Sequence, residues 1–171
     1  RWLSDWSSDV CSSDLTETFF DEIGRIDYEI LPTADGGSGL LTRDYEYNTN
    51  NEITGIDYFV DANSNHQWTS GETLLEGFAY TYYADGSRAS EVRTDNLDGS
   101  VTQTTTEFWK YDGLNHVVEE TFDGYDGSGN ALAYTDQMTY DVSSNRTSLD
   151  HDDRTSGGAG GAGPASLSID F

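Results

Sequence analysis

One seven-residue pattern returns five times in this chain and limits what it can fold into. An aromatic residue is followed by Asp or Asn, then a turn containing Gly or Asn, then a polar or basic residue and an apolar one. The clearest copies are Phe20-Asp21-Glu22-Ile23-Gly24-Arg25-Ile26, Tyr47-Asn48-Thr49-Asn50-Asn51-Glu52-Ile53 and Tyr111-Asp112-Gly113-Leu114-Asn115-His116-Val117. A fourth, Tyr83-Ala84-Asp85-Gly86-Ser87-Arg88, is one residue shorter before its Gly, and a fifth, Tyr140-Asp141-Val142-Ser143-Ser144-Asn145-Arg146-Thr147, has Ser where Gly is expected. The anchors Phe20, Tyr47, Tyr83, Tyr111 and Tyr140 stand 27, 36, 28 and 29 residues apart. Self-similarity at such a period marks a repeat architecture, in which a unit too small to bury its own apolar face stacks on its neighbours.

Each copy reads as a hairpin. Asp or Asn at the start opens a turn by bonding its own backbone, and Gly or Asn three residues later accepts a positive φ that other side chains resist. The flanks alternate with period two: Ile26/Tyr28/Ile30, Ile56/Tyr58/Val60, Phe78/Tyr80/Tyr82 and Leu132/Tyr134/Met138/Tyr140, the last run interrupted by Asp136. Such alternation places apolar groups on one strand face. The expected fold is all-β, built of antiparallel hairpin repeats over residues 16–153, with the anchors Tyr47, Tyr83, Tyr111 and Tyr140 in the core and adjacent repeats as the first partners. Leu, Ile, Val and Phe number only 32 of 171 residues, near the range of disordered chains, whereas eleven Tyr, seven Phe and four Trp supply burial of another kind. An aromatic ring buries roughly 150–250 Å², and a tyrosine keeps its hydroxyl wet.

The pattern resembles the YD-repeat, or RHS, family, whose signature is Tyr-Asp-x-x-Gly followed by Arg or Asn-Arg and a small apolar or Thr position. Tyr140-Asp141 with Asn145-Arg146-Thr147 is the closest match, and Phe20-Asp21 with Gly24-Arg25-Ile26 the next. Asn51 and Asn115 replace Gly, and Ser144 and the short copy at Tyr83 depart further. The resemblance implies a non-catalytic β-repeat segment of a bacterial surface or secreted protein. In that family, hairpins spiral into a hollow shell that often encloses a toxin domain, and other members bind carbohydrate or mediate cell contact. The Pro- and Asp-Pro-containing core segment that ends such shells has no counterpart here, since neither Pro32 nor Pro164 follows an Asp.

The two ends read differently. Residues 5–15, DWSSDVCSSDL, resemble one reading frame of a common sequencing adapter, so residues 1–15 are set apart as an artefact. They hold the only Cys, Cys11, and without it no disulfide, thiol nucleophile or Cys-ligated metal is expected. The only Met is Met138, so the chain is expected to be an internal part of a longer gene. Residues 154–171 carry a Gly-Gly-Ala-Gly-Gly-Ala-Gly run and are expected to form a flexible tail.

Charge narrows the partners. The chain has 8 Lys and Arg against 32 Asp and Glu, a net charge of -24. Residues 1–15 contribute Arg1, Asp5, Asp9 and Asp14, leaving -22 on the remainder. So few cations cannot neutralise a run of phosphates, so nucleic acid and anionic membrane surfaces are not expected partners, whereas cations are. No apolar run reaches the roughly 18 residues a spanning helix needs.

One segment has the spacing of a metal loop. Asp61, Asn63, Asn65, Gln67, Thr69 and Glu72 fall at the positions from which a calcium loop draws its oxygens, with Gln67 offering its carbonyl and Glu72 a bidentate carboxylate. His66 stands where such loops have Gly. Two readings stand side by side: a calcium site, in a calcium-dependent adhesion or carbohydrate-binding module with Trp68 or Trp109 stacking on sugar, and a polar hairpin tip without a ligand. His66, His116 and His151 sit in different repeats, and 150–153 is a charged cluster at a domain end. Residues 123–130 read as two tandem turns. No nucleophile elbow, Walker loop, dinucleotide fingerprint or spaced catalytic carboxylate pair is present, and no enzyme is expected.

Overall fold

The computed structural model describes residues 16–32, 40–97, 101–126, 129–154 and 166–170. The adapter-like segment and residues 155–164 of the Gly-rich run lie outside the described residues. Eleven strands are present, and no helix is found among the described residues. They are β1 (Glu17–Phe20), β2 (Ile26–Leu31), β3 (Leu40–Tyr47), β4 (Ile53–Asp61), β5 (Thr73–Tyr82), β6 (Arg88–Leu97), β7 (Val101–Tyr111), β8 (Val117–Tyr125), β9 (Ala131–Tyr140), β10 (Arg146–Asp153) and β11 (Ser166–Asp170). The all-β, antiparallel hairpin class expected from the sequence is therefore the observed one. Among the described residues no helix is long and apolar enough to cross a membrane. The chain divides into two compact units at Gly77 and Phe78, inside β5, and each is described by itself.

In the first unit β1 to β4 pair antiparallel in chain order. The register Phe19↔Tyr28, Tyr28↔Asp44 and Asp44↔Asp57 puts these side chains on one face together with Thr42 and Phe59. Residues 61–72 fold back over that face: the His66 ring stacks on Tyr28 at 4.4 Å, and Tyr28 stacks on Phe19 at 4.5 Å. Beneath lie Phe59 and Thr42, both 0% exposed. The opposite face is held by polar contacts. Arg43 lies 4.4 Å over the Tyr58 ring and donates to Glu29 at 2.7 Å, and Tyr45 donates to the same carboxylate at 2.9 Å.

In the second unit the pairs β6–β7, β7–β8, β8–β9, β9–β10 and β10–β11 are antiparallel. One face carries Trp109, Phe122, Tyr134, Met138, Leu149 and His151, with Phe122 stacked on Tyr134 at 5.1 Å and Tyr134 tilted on His151 at 5.2 Å. The other is rich in hydroxyls, with Thr81 bonded to Ser90 and Thr139 to Ser148, each at 2.6 Å. These cross-strand pairs are the unit of sheet stabilisation.

Two expectations are corrected here. The tyrosine anchors are not core residues: Tyr83 is 44% exposed, and Tyr47, Tyr111 and Tyr140 are half-buried. Among the described residues Phe59 is the only fully buried hydrophobic side chain. The second correction concerns the tail, whose residues 166–170 form β11 and pair with β10 in the register Leu149↔Ile169.

Candidate functional site

The repeated turn has one geometry. The backbone N–H of its second residue donates to the carbonyl of its sixth, as in Asp21 to Arg25 at 2.8 Å, Asn48 to Glu52 at 3.0 Å, Asp112 to His116 at 3.0 Å and Asp141 to Asn145 at 2.9 Å. The N–H of the fifth returns to the carbonyl of the second, from Gly24, Asn51, Asn115 and Ser144, at 3.0–3.1 Å. The fifth residue takes positive φ in each: 85° at Gly24, 64° at Asn51, 67° at Asn115 and 66° at Ser144. A tight turn closed by a left-handed residue matches the twist of the flanking strands and shifts their register by one. That shift appears at Phe19/Phe20, Glu46/Tyr47 and Lys110/Tyr111.

The second side chain completes the loop. Asp21 Oδ1 accepts the N–H groups of Ile23 and Arg25, Asn48 those of Asn50 and Glu52, Asp112 those of Leu114 and His116, and Asp141 those of Ser143 and Asn145, all at 2.8–3.0 Å. The sixth side chain then pairs with the second. Arg25 Nε donates to Asp21 at 2.7 Å, Asn48 donates to Glu52 at 2.6 Å, His116 Nδ1 lies 2.8 Å from Asp112, and Asn145 donates to Asp141 at 3.0 Å. The His116 N–H and ring hold the Asp112 carboxyl below its ordinary range, and the Asn145 amide and N–H do the same for Asp141. Sequence reasoning passed over this second–sixth pairing, although the complementary Asp…Arg, Asn…Glu, Asp…His and Asp…Asn spacings carry it.

Backbone bonds also correct the fourth copy. The N–H of Tyr83 donates to Ser87 at 2.8 Å and that of Gly86 to Tyr83 at 3.0 Å, the bonds of the second and fifth positions. Tyr82 is thus the anchor, Tyr83 replaces the usual Asp, and the copy is of full length. The spacings become 27, 35, 29 and 29. Two consecutive tyrosines offer two registers, and only the hydrogen bonds choose between them. A sixth turn of the same kind lies at 125–131, where two tandem turns were expected. Asp126 N–H donates to Asn130 at 2.8 Å, Gly129 N–H to Asp126 at 2.9 Å, and Gly129 has φ 79°.

Neighbouring repeats are joined through the first and sixth positions. Tyr47 donates its hydroxyl to the carbonyl of Ile26, and Tyr140 to that of Val117, at 2.8 and 2.9 Å, in each case the seventh residue of the turn begun by the anchor before it, Phe20 or Tyr111. Arg25 lies 4.2 Å over the Tyr47 ring and His116 stacks on Tyr140 at 4.5 Å. A buried tyrosine tip normally finds such a partner, and a cation over its ring adds electrostatic attraction.

The 61–72 segment is closed by its own hydrogen bonds. Asp61, 2% exposed, accepts the N–H groups of Asn63 at 3.2 Å, Ser64 at 2.6 Å and His66 at 3.0 Å. Asn63 accepts from Asn65 at 2.9 Å and Asn65 from Gln67 at 3.1 Å. Glu72 receives the N–H groups of Ala62 at 3.2 Å and Thr69 at 2.9 Å, and the Thr69 hydroxyl at 3.0 Å. His66 fills the usual Gly position with φ 62° and spends its ring on Tyr28. The segment is thus a cover for the first unit's sheet as well as a hairpin tip. The six oxygen-bearing positions are brought into one loop, with Asp61 and Glu72 at its neck. Among the described residues no group of three or more His, Cys, Asp or Glu is arranged to hold a metal ion. The three histidines stand apart, each beside its own acid: His66 with Asp61, His116 with Asp112 and His151 with Asp136.

Under that cover lies a strained acid pair. Asp44 and Asp57 are directly opposite on β3 and β4. Burial, then Glu46 and Asp44, push the Asp57 carboxyl up to about 6. No family model matches the chain, and no curated protein matches it.

Proposed function

We propose that the chain is a structural β-repeat segment, without catalysis of its own, of an RHS-type surface or secreted bacterial protein, in which the hairpin array forms part of a scaffold or shell. The observation that carries this reading is the link between repeats. At Tyr47 and at Tyr140 the hydroxyl fastens the turn of the anchor before it, and the sixth side chain of that turn covers the same ring. The conserved geometry of the turns is spent on closing hairpins and joining them. Their Asp and Asn carboxyl and amide oxygens are engaged by backbone N–H groups, an arrangement suited to stiffness along an array.

Truncation of one anchor tests the reading. Tyr111→Ala removes a half-buried ring and is expected to cost about 2 kcal/mol. In a scaffold of coupled repeats the loss spreads, so amide exchange should speed up in β6 and in the β9–β10 hairpin as well as in β7–β8. Exchange confined to residues near 111 would contradict it.

A further inference from the structure

The oxygens of the 61–72 loop are taken up in closing the loop, yet the sheet face beneath it holds acids that nothing balances. Asp44 and Asp57 stand directly opposite on β3 and β4, and Glu46 follows on the same face of β3. The basic residues between 16 and 77 are Arg25, Arg43 and His66. Each is paired with a different acid: Arg25 with Asp21, Arg43 with Glu29 and His66 with Asp61. Among the described residues no Lys, Arg or His pairs with Asp44, Glu46 or Asp57, and the cover contributes only the Trp68 N–H, 3.4 Å from Asp44. Charges withdrawn from water are ordinarily paired or bound to a metal.

Two further observations point to a ligand there. Thr42, the neighbour of Asp44 on the same face, is 0% exposed, and its hydroxyl has no hydrogen-bond partner. A buried hydroxyl in that state is unfavourable unless something takes up its oxygen or its proton. The second observation is room. A Cβ on Gly77 would stand 2.8 Å from Asp57 Oδ1, and one on Gly55, directly opposite Glu46, would stand 3.0 Å from Glu46 Oε2. Both carboxylates therefore lie over bare backbone that any larger residue would fill. Glu46 is exposed, which leaves the end of the face beyond the pair open to water and ions.

We infer that a calcium ion binds between Asp44 and Asp57, beneath the 61–72 cover, with the Thr42 hydroxyl as a neutral ligand. Calcium accepts carboxylate, hydroxyl and water oxygens at about 2.3–2.6 Å in an adaptable shell. Only two carboxylates stand directly across from each other, so no three-acid group is formed among the described residues, and water entering past Glu46 completes the shell. With two formal charges the dissociation constant should fall at about 10⁻⁴–10⁻³ M. The ion turns the repulsion across the pair into attraction.

The test is the thermal melt of the full chain at about pH 7.5, in chelator and across a calcium titration. The melting temperature should rise with calcium and saturate in the millimolar range. Asp57→Asn, which melts higher than the natural chain in chelator, should show no saturable rise, whereas Glu72→Gln, at the neck of the covering loop, should keep it. Thr42→Val preserves the side chain's shape and should move the midpoint to at least about threefold more calcium. Terbium at the site should luminesce on excitation of Tyr28, which stands directly opposite Asp44, and calcium should displace it. The assignment is overturned by a rise that does not saturate, by an equal rise in folded Asp57→Asn, or by loss of the response in folded Glu72→Gln. An unchanged midpoint in Thr42→Val, or terbium emission that calcium leaves undiminished, would overturn it too.

Discussion

Ser144 occupies a backbone state that costs an L-residue about 1–2 kcal/mol, with φ 66° in the fifth position of its turn. Gly24 and Gly129 meet the same requirement without a Cβ, and Asn51 and Asn115 soften it with a short polar side chain. Ser144→Gly is therefore expected to stabilise the second unit by about 0.5–1 kcal/mol, after allowing for glycine's greater freedom in the unfolded chain. The converse, Gly24→Ala, should destabilise the first unit, although a Cβ there would meet nothing within 4 Å. Its cost is purely conformational. Chemical denaturation of both variants measures the difference, and equal stability of Ser144→Gly and the natural chain would refute the turn assignment. At this scale the sequence was informative, because Asp and Asn at the second position and Gly and Asn at the fifth each have a local reason. The Tyr82–Tyr83 register was not legible, since either tyrosine satisfies the same local preference.

Between elements, the cross-strand pair Asp44 and Asp57 is the clearest source of unfavourable energy. Like charges directly opposite in a sheet repel. Asp57 is raised to about 6 by burial first and by Glu46 and Asp44 next, from 3.8 in the free residue. The other charged groups acting on the pair are the acids Glu46 from β3 and Asp27 from β2, and the Trp68 N–H donates to Asp44 at 3.4 Å. The folded state binds the Asp57 proton more tightly than the unfolded one, so stability rises as pH falls through 6 and levels off near 3.8. Asp57→Asn should melt at higher temperature than the natural chain at about pH 7.5, and the gap should narrow as pH falls through 6 and close only near 3.8. A gap that stays constant would show that Asp57 ionisation does not govern it, the histidines being common to both chains. This pair could not be read from the sequence. Alternation marks which residues share a face, but not that residues 61–72 fold back to shield two acids from water.

At the scale of the whole molecule, stability comes from repetition, with little hydrophobic core among the described residues. The period, the hairpins and their antiparallel pairing followed from turn chemistry and alternation, because those are local properties that recur. The burial of the anchors, the β11 strand and the cover over the first unit depend on contacts distant in sequence, and no local signal encodes them. If the unit is a true repeat, its length is a quantum. Deletion of residues 112–140 removes 29 residues and joins Tyr111 to Asp141, restoring a complete Tyr-Asp turn. The most direct measurement is the thermal melt of that chain beside one lacking only residues 112–121, which joins Tyr111 to Phe122 inside β8 without a turn. The in-register deletion should fold with β-sheet circular dichroism and a cooperative melt at somewhat lower temperature, whereas the partial one should lose cooperativity. If both fold equally well, or the in-register deletion fails to fold, the repeat is not the unit from which this protein is built.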